Sequence, residues 1–328
     1  MHKEILKDIG EKELINRIGK FMPKNQILDD CALIKTKKNN LLINNDCLVE
    51  NVHFDDITIC PQDLGWKAVV SNISDLLSSG SKKTIGIAIS LVLPANTEWV
   101  WVEELYKGIN KALKAYGGII LGGDCSKGNQ KTISITALGI QGELELRRNV
   151  CKPGDIILTT GIHGLSKLGL MVQNKINFDN NVSLNERLIK KSVKHFCRPQ
   201  IYPNFLKNLL KTRSNKKIKK IGCTDSSDGL FQAIQDLAIA SKCKAIIDYK
   251  KIPKDKDWPK GKKWDEYYFF GGEDYELVFS LPKKWANNLS KIDKNINAIG
   301  YFVHGEPSIE FKDNKKNELL KNKTFRHF

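Results

Sequence analysis

The chain has 328 residues, a formal net charge of +16 at pH 7 and an apolar content of 41%. This length allows two domains or one large domain, and the composition is that of a globular protein with a buried core. No apolar stretch is long enough to cross a bilayer, and the charged opening residues lack the apolar core of an export signal, so we predict neither membrane partner nor export. The eight cysteines form no Cys-x-x-Cys pair, which disfavours a zinc site and a disulfide scaffold and predicts a cytoplasmic protein.

The positive charge raises the alternative of a nucleic-acid-binding protein. Only seven of the basic residues are arginine, and the remainder are lysine. Specific readers of nucleic acid depend on arginine, whose planar fork pairs with base edges. We therefore interpret the lysine excess as solvated surface and predict no nucleic-acid partner.

The first half of the chain predicts alternating helices and strands. Residues 61–79 show apolar positions spaced by three and four, with Pro61 at the start and Gly80 just past the end, as in an amphipathic helix. Asp75 falls in the C-terminal turn of this helix, where the helix dipole disfavours an acid and a bound cation would remove the penalty. The other predicted elements are a helix over 11–21, a hairpin of strands 32–36 and 41–45, a strand over 85–93, a helix over 97–116 and strands over 119–121 and 133–140.

The second half of the chain predicts the same mixture of elements. They are a strand over 156–159, a helix after Gly164, helices over 185–195 and 203–211, a strand ending near Cys223, a helix from Asp228 to Ala240 and strands over 244–248 and 275–281. The polar segment 147–153 predicts a boundary between an N-terminal domain, 1–148, and a C-terminal domain, 149–328. The predicted fold class is therefore two-domain α/β (α+β).

Aspartates lie at the predicted strand ends and turns. They occur in the runs Asp29-Asp30, Asp46, Asp75, Gly122-Gly-Asp124, Asp225-Ser-Ser-Asp228-Gly229 and Gly271-Gly-Glu273-Asp274. Carboxylate oxygens are the ligands that Mg²⁺ prefers, and Mg²⁺ commonly accompanies a nucleotide, so the pattern predicts phosphoryl transfer. Each run alone is weak evidence, because an aspartate before a helix is also explained as an N-cap.

The combination and order of these runs resemble the thiamine-monophosphate kinase family, within the superfamily typified by aminoimidazole ribonucleotide synthetase. The resemblance spans nearly the whole chain. The matching runs are Asp29-Asp-Cys-Ala-Leu33, Asp46-Cys-Leu-Val-Glu50 with His53-Phe54, Trp66-Lys-Ala68, Asn72-Ile-Ser-Asp75-Leu76, Gly122-Gly-Asp124, Arg148, Lys152-Pro-Gly-Asp155, His195, Arg198-Pro199, Ser227-Asp-Gly-Leu230 and Gly271-Gly-Glu-Asp-Tyr-Glu-Leu277.

The resemblance implies transfer of the γ-phosphoryl group of ATP to the phosphate of thiamine monophosphate, assisted by several Mg²⁺ ions. It implies three groups of site residues: magnesium ligands at Asp30, Asp46, Asp75, Asp124, Asp225 and Asp228, with Asn44 and Asn45 in place of the family's Ser/Thr pair; ATP contacts at Tyr106, Gly123, Asp124, Arg148 and Ser227; and substrate contacts at His53 and Glu273. No general base is expected, because the acceptor phosphate is already an anion at neutral pH.

The family fold implies a homodimer in which the strands of two N-terminal domains form a β-barrel flanked by helices. A C-terminal α/β sandwich closes the cleft. Two further departures stand out: Leu28 replaces the glycine before the Asp pair, and Asn322, with Phe325 nearby, stands where the family places an aromatic beside the thiamine. The alternative is another enzyme of the superfamily, either a purine-pathway cyclase or a selenophosphate-forming enzyme. The latter needs a reactive cysteine near its N-terminus, whereas Cys31 lies beyond the Asp pair.

Overall fold

The computed structural model describes residues 5–22, 29–176 and 184–313. The prediction of a mixed α/β fold is confirmed, since the described strands form one five-stranded and one seven-stranded sheet with helices packed on them. Leu28, Asn322 and Phe325 lie outside the described residues.

The described α-helices lie in both halves of the chain. They are α1 (Leu6–Ile18), α2 (Pro61–Ser78), α3 (Trp99–Tyr116), α4 (Leu165–Gln173), α5 (Glu186–Cys197), α6 (Phe205–Thr212), α7 (Leu230–Ser241), α8 (Lys262–Phe270) and α9 (Lys283–Ile292).

The described strands alternate with these helices. They are β1 (Ala32–Ile34), β2 (Leu41–Val49), β3 (Ser81–Leu93), β4 (Ile120–Lys127), β5 (Thr132–Gln141), β6 (Glu145–Arg147), β7 (Ile156–Thr160), β8 (Lys220–Asp225), β9 (Lys244–Ile247), β10 (Leu277–Leu281), β11 (Ile296–Val303) and β12 (Ser308–Phe311).

The five-stranded sheet has the order β1-β2-β5-β3-β4. Side chains alternate between its two faces, so Leu42, Asn44 and Leu48 of β2 are buried on one face together with alternate residues of β5 and β3. Helix α2 packs on this buried face and α3 packs on α2. The opposite face carries half-buried and exposed side chains such as Asn45 and Ser90.

Two predictions about this sheet are wrong. Asp46 lies inside β2 rather than at the end of a strand, because β2 continues to Val49 and pairs with β5 along its whole length. The run Gly122-Gly-Asp124 is not a turn but the middle of β4, which pairs in parallel with β3. A Cβ atom at Gly123 would lie 1.7 Å from the carbonyl oxygen of Ile89, so the glycine is needed for the close approach of these two strands.

The five-stranded sheet is open in the single chain. Its outermost strands, β1 and β4, each pair with one neighbour only among the described strands. The chain alone therefore does not form the barrel that the resemblance implied, since a closed barrel requires its first and last strands to pair.

The seven-stranded sheet has the order β12-β9-β11-β7-β10-β8-β6. Strand β6 pairs in parallel with β8, so this sheet begins at Glu145. The domain division at 148/149 stays a prediction. Helices α8 and α9 and strands β11 and β12 were not predicted; their aromatic residues Trp264, Trp285 and Phe302 are buried in the core.

Helix α2 also contacts the C-terminal part of the chain. The Trp66 indole donates to the carbonyl oxygen of Pro199 at 2.7 Å, and Arg198 pairs with Asp63. Helix α2 therefore packs against strands of both sheets. No helix of the described residues has the length and apolar character needed to cross a membrane.

Candidate phosphoryl-transfer site

Three of the predicted magnesium ligands meet at the junction of the two sheets. Asp30 precedes β1, Asp75 lies in the last turn of α2 and Asp225 ends β8. One carboxylate oxygen from each lies within 4.8 Å of the other two. Residues far apart in the chain thus converge on one point, which we call the carboxylate cluster.

A serine stripe on α2 holds this cluster in place. Ser71, Ser74 and Ser78 are buried, and their spacing of three and four places them on one face of the helix. Ser74 Oγ donates to Asp225 Oδ2 at 2.6 Å, and Ser78 Oγ donates to Asp30 Oδ2 at 2.6 Å. The spacing of these serines is visible in the sequence, but the helix was predicted from its apolar residues, and the serines were not assigned to the site.

Burial and repulsion from neighbouring charges raise the pKa of two carboxylates of the cluster, Asp225 and Asp75. Burial raises the pKa of Asp225 to about 7, and the charge of Asp30 adds to the effect. Burial also raises the pKa of Asp75 well above its usual value, with further contributions from Asp46, Asp225 and Asp30. Carboxylates that repel one another in a buried site are stabilised when a cation binds between them.

Asp46 and Asp228 lie beside the cluster. Burial raises the pKa of Asp46, and the neighbouring charges of Asp30 and Asp228 raise it further. Asp228 follows β8, and neither it nor Asp225 is the N-cap of α7, which is Gly229. The N-cap explanation for these two aspartates is therefore wrong.

The two asparagines that replace the family's Ser/Thr pair point to opposite faces of the sheet. Asn44 is buried, its amide donates to Asp75 Oδ2 at 2.9 Å, and its carbonyl oxygen Oδ1 has no hydrogen-bonding partner among the described residues. The Asn45 amide instead donates to Ser134 and Thr136 on the other face. Adjacent strand residues alternate in direction, so the structure separates the side chain of Asn45 from the predicted metal ligands.

Asp124 does not join the carboxylate cluster in the single chain. It is exposed on β4, at the edge of the sheet, where Ser126 Oγ donates to it at 3.2 Å. Within one chain the carboxylate cluster therefore consists of Asp30, Asp75 and Asp225 without Asp124, and the role of Asp124 as a magnesium ligand stays a prediction. Gly123 is its exposed neighbour, and Tyr106 of α3 packs half-buried against the core close to Cys125, the residue after Asp124.

Arg148 and Ser227 lie at the carboxylate cluster. Arg148 pairs with Asp30, and its Nε donates to Thr224 Oγ1 at 3.1 Å. Burial alone would lower the pKa of Arg148, but the charges of Asp30 and Asp236 raise it. Ser227 Oγ donates to Asp225 Oδ1 at 2.9 Å. A cationic fork among the carboxylates suits the binding of a phosphate group.

Glu273 lies in a loop that packs backbone to backbone on the segment after β8. A Cβ atom at Gly272 would lie 2.5 Å from the carbonyl oxygen of Ser227, so only glycine permits this approach. Glu273 itself has a φ of 64°, and its side chain pairs with Lys67 of α2 at 2.7 Å. Lys67 lies in a run that supported the resemblance, but no role was predicted for it.

His53 follows β2, beside the same sheet. Its Nδ1 accepts a hydrogen bond from the backbone N–H of Val49 at 3.0 Å. The ring therefore uses one nitrogen to hold its own loop against the end of β2.

The donor set of the cluster fits Mg²⁺. It consists of carboxylate oxygens together with the unpartnered carbonyl oxygen of Asn44, which are hard oxygen donors without sulfur or nitrogen. The thiol of Cys31 is close by, but it donates to the backbone oxygen of Asp75 at 3.3 Å, and burial raises its pKa well above the usual value.

Comparison with known proteins gives the same assignment. The AIR synthase related protein family matches through its N-terminal domain over residues 28–141 and through its C-terminal domain over residues 152–311. The chain is 44% identical to the thiamine-monophosphate kinase of Prochlorococcus marinus, over 99% of this chain and 98% of the relative. The chain belongs to the thiamine-monophosphate kinase family. The prediction made from the resemblance is confirmed.

Further members of the thiamine-monophosphate kinase family support this assignment. The enzyme of Synechococcus elongatus is 30% identical over 100% of this chain and 99% of its own. The solved structure of AaThiL complexed with AMPPCP and TMP superposes with a TM-score of 0.84 at 29% identity, and the match covers 100% of both chains.

Proposed function

We propose that this chain phosphorylates thiamine monophosphate to thiamine diphosphate, with ATP as donor and Mg²⁺ as cofactor. The observation that carries the proposal is the carboxylate cluster with Arg148 at its edge, in a chain that matches thiamine-monophosphate kinases over its full length. The structure of AaThiL with AMPPCP and TMP supports the same pair of ligands.

In the proposed site, some residues bind Mg²⁺ and others orient the residues that bind it. Asp30, Asp75 and Asp225 would hold Mg²⁺, with Asp46, Asp228 and Asn44 as neighbouring oxygen donors. Mg²⁺ held by these residues would neutralise negative charge on the phosphate groups. Serines of α2 and Ser227 keep the carboxylates oriented by donating hydrogen bonds to them.

The acceptor needs no proton removed from it. A phosphate monoester has a second pKa of about 6, so its oxygen is already anionic at neutral pH. Catalysis then depends on holding donor and acceptor in line and on cancelling their repulsion. We assign Arg148, Ser227, Gly123 and Tyr106 to the ATP side and His53 and Glu273 to the acceptor side.

The proposed assembly is a homodimer. Two exposed features of the five-stranded sheet support it: the free edge of β4, and the outer face with its half-buried residues. Pairing of two such sheets into a barrel would cover both features. It would also enclose Asp124, which the single chain leaves exposed. The use of ATP is consistent with a cytoplasmic location.

The direct test is mass spectrometry of the products after incubation with ATP, Mg²⁺ and thiamine monophosphate. We expect thiamine diphosphate and ADP in equal amounts. One control omits Mg²⁺. A second control replaces thiamine monophosphate by aminoimidazole precursors or by selenide. ATP consumption only with one of those other substrates would contradict the proposed activity.

A further inference from the structure

Lys67 is a buried lysine at the junction between the two sheets. Its side chain is 1% exposed, its ammonium lies 2.7 Å from Glu273 Oε2, and it sits 4.1 Å above the centre of the Phe196 ring. A buried charge is strongly unfavourable unless it is paired. The ammonium is therefore committed to Glu273 and is shielded from any molecule in the cleft.

Glu273 is held in place by its backbone as well. Its N–H donates to the carbonyl oxygen of Ser227 at 2.6 Å, and its own carbonyl oxygen accepts from Ser166 Oγ at 2.7 Å. Its φ of 64° lies in the left-handed region, which a residue with a side chain adopts only when its surroundings enforce it. The conformation of this loop is thus fixed before any ligand arrives.

The Glu273 carboxylate has one oxygen engaged and one open. Oε2 binds Lys67, whereas Oε1 accepts no hydrogen bond from the residues that the structure describes. The side chain is 29% exposed. One oxygen is consequently available to a ligand while the other anchors the group.

Helix α2 connects this pair to the carboxylate cluster. Lys67 lies on the same face of the helix as Ser71 and Ser74. Asp75 is farther along, at about 12 Å for a rise of 1.5 Å per residue. This separation is comparable to the length of a small organic phosphate.

We propose that Lys67 is a positioning residue for the acceptor. It fixes Oε2 of Glu273 so that Oε1 points into the cleft and accepts a hydrogen bond from an N–H donor on the organic part of the acceptor. This inference rests on the proposed function. Lys67 acts only through Glu273, because its buried ammonium does not reach the acceptor.

The competing explanation is that the ion pair only joins the two halves of the chain. Arg198 and Asp63 form a second ion pair between α2 and the residues after α5, and this pair does not involve Glu273. Arg198→Met is therefore the matched control for loss of an ion pair at the same junction.

The experiment compares Lys67→Met with Arg198→Met in the full chain. We measure the KM for thiamine monophosphate, kcat, the Kd for ATP and the Tm of each variant. Lys67→Met should raise the KM for thiamine monophosphate about tenfold, as expected for loss of a charge-assisted contact, while the Kd for ATP stays within about twofold. Arg198→Met should leave both constants near those of the wild type. The inference would be overturned if both variants raised the KM for thiamine monophosphate equally. It would also be overturned if Lys67→Met raised the KM for thiamine monophosphate and the Kd for ATP by the same factor.

A double variant tests the route through Glu273. Glu273→Gln should also raise the KM, and adding Lys67→Met should raise it no further, because the two residues act as a unit. Additive effects would contradict the proposal. If Lys67→Met does not fold, Lys67→Gln retains an N–H donor and should give a smaller rise in KM, so an unchanged KM there would contradict it equally.

Failure of the proposed function is distinguishable from failure of this inference. Turnover of thiamine monophosphate by the wild type with an unchanged KM in Lys67→Met rejects only the role of Lys67. If the wild type gives no turnover, calorimetric binding of thiamine monophosphate decides: weaker binding by Lys67→Met keeps the positioning role, and absence of binding by the wild type rejects both proposals.

Discussion

Ser74 Oγ donates a hydrogen bond of 2.6 Å to Asp225 Oδ2, joining α2 to the end of β8. Asp225 is 3% exposed, so this hydroxyl supplies one of the few donors available to its carboxylate. The hydrogen bond connects the two sheets at the place where the carboxylates meet. The packing of α2 on β8 and the formation of the carboxylate cluster therefore depend on the same hydrogen bond.

Ser74→Ala should weaken the binding of Mg²⁺ and lower stability modestly. The change leaves a buried acceptor without its donor, which costs about 1–3 kcal/mol of unfolding free energy. It also lets the carboxylate turn away from Asp30 and Asp75. The measurements are a magnesium titration of activity and a urea unfolding curve. Ser290→Ala is the control, because the Ser290 hydroxyl on α9 has no partner among the described residues, so its loss should leave magnesium binding unchanged and should not lower the free energy of unfolding.

Asp75→Asn should abolish turnover while the fold persists. The substitution keeps the shape of the side chain and removes a charge that is repelled by Asp46, Asp225 and Asp30. The free energy of unfolding without Mg²⁺ should consequently rise or stay constant even though activity is lost. Activity is measured by thiamine diphosphate formation, and Asp257→Asn, which removes a carboxylate that pairs with Arg187 outside the cluster, is the control. Near-normal activity of Asp75→Asn would reject the carboxylate cluster as the metal site.

Because Glu276 is buried, we expect the free energy of unfolding to fall as pH rises. Burial raises its pKa from 4.5 to about 7, so over this interval the folded chain holds a proton that the unfolded chain has released. The free energy of unfolding therefore falls with increasing pH across this range, by about 3 kcal/mol at most for one group. The raised pKa of Asp225 acts in the same direction.

Glu276→Gln isolates this part of the pH dependence. Glutamine is neutral throughout, so the fall in unfolding free energy between about pH 5 and about pH 7.5, measured by urea titration without Mg²⁺, should become shallower but not vanish. Glu306→Gln, in an exposed turn, should leave the slope of the wild type unchanged. An undiminished slope in Glu276→Gln would show that another group causes it.

The sequence carried the local signals but not the long-range ones. The α2 helix was predicted closely, since its apolar period and Pro61 depend on neighbouring residues only. The run Gly122-Gly-Asp124 was assigned to a turn, because glycine is typical of turns, whereas the strand around it exists only through parallel pairing with β3. Pairing of distant strands leaves no local periodicity that a single sequence reveals.

The residues of the site could likewise be predicted only in part from the sequence. Residue types and order indicated Asp30, Asp75 and Asp225, and the structure brings them together. The separation of Asn44 from Asn45 follows from the alternation of side chains along a strand. Which of the two faces the cluster depends on the side of the sheet that α2 covers, and the sequence does not specify that side. Lys67 was missed because its partner, Glu273, is far away in the chain and meets it only when the two halves pack.

We expect the outer face of the five-stranded sheet to be buried in the proposed dimer. Leu138 lies on this face of β5, half-buried and flanked by Ile43 of β2. Leu138→Arg should give a monomer in sedimentation at micromolar protein, because a buried guanidinium without a partner opposes association. Ile292→Arg, on an exposed position of α9, should leave the dimer intact. A wild type that sediments as a monomer would reject the proposed assembly itself.

We expect His53 to contact the acceptor and Arg148 to contact ATP, so substitutions of the two residues should affect different ligands. Arg148 lies within the cluster, paired with Asp30, so Arg148→Ala removes a charge-assisted phosphate contact of about 1.5–3 kcal/mol and should raise the Kd for ATP by about ten- to a hundredfold. His53→Ala should instead raise the KM for thiamine monophosphate and leave the Kd for ATP near that of the wild type. Both KM values and a direct Kd for ATP are measured for each variant. If both variants weakened ATP binding equally and spared the acceptor, the assignment of sides would be wrong, and His53 would belong with Arg148 at the nucleotide.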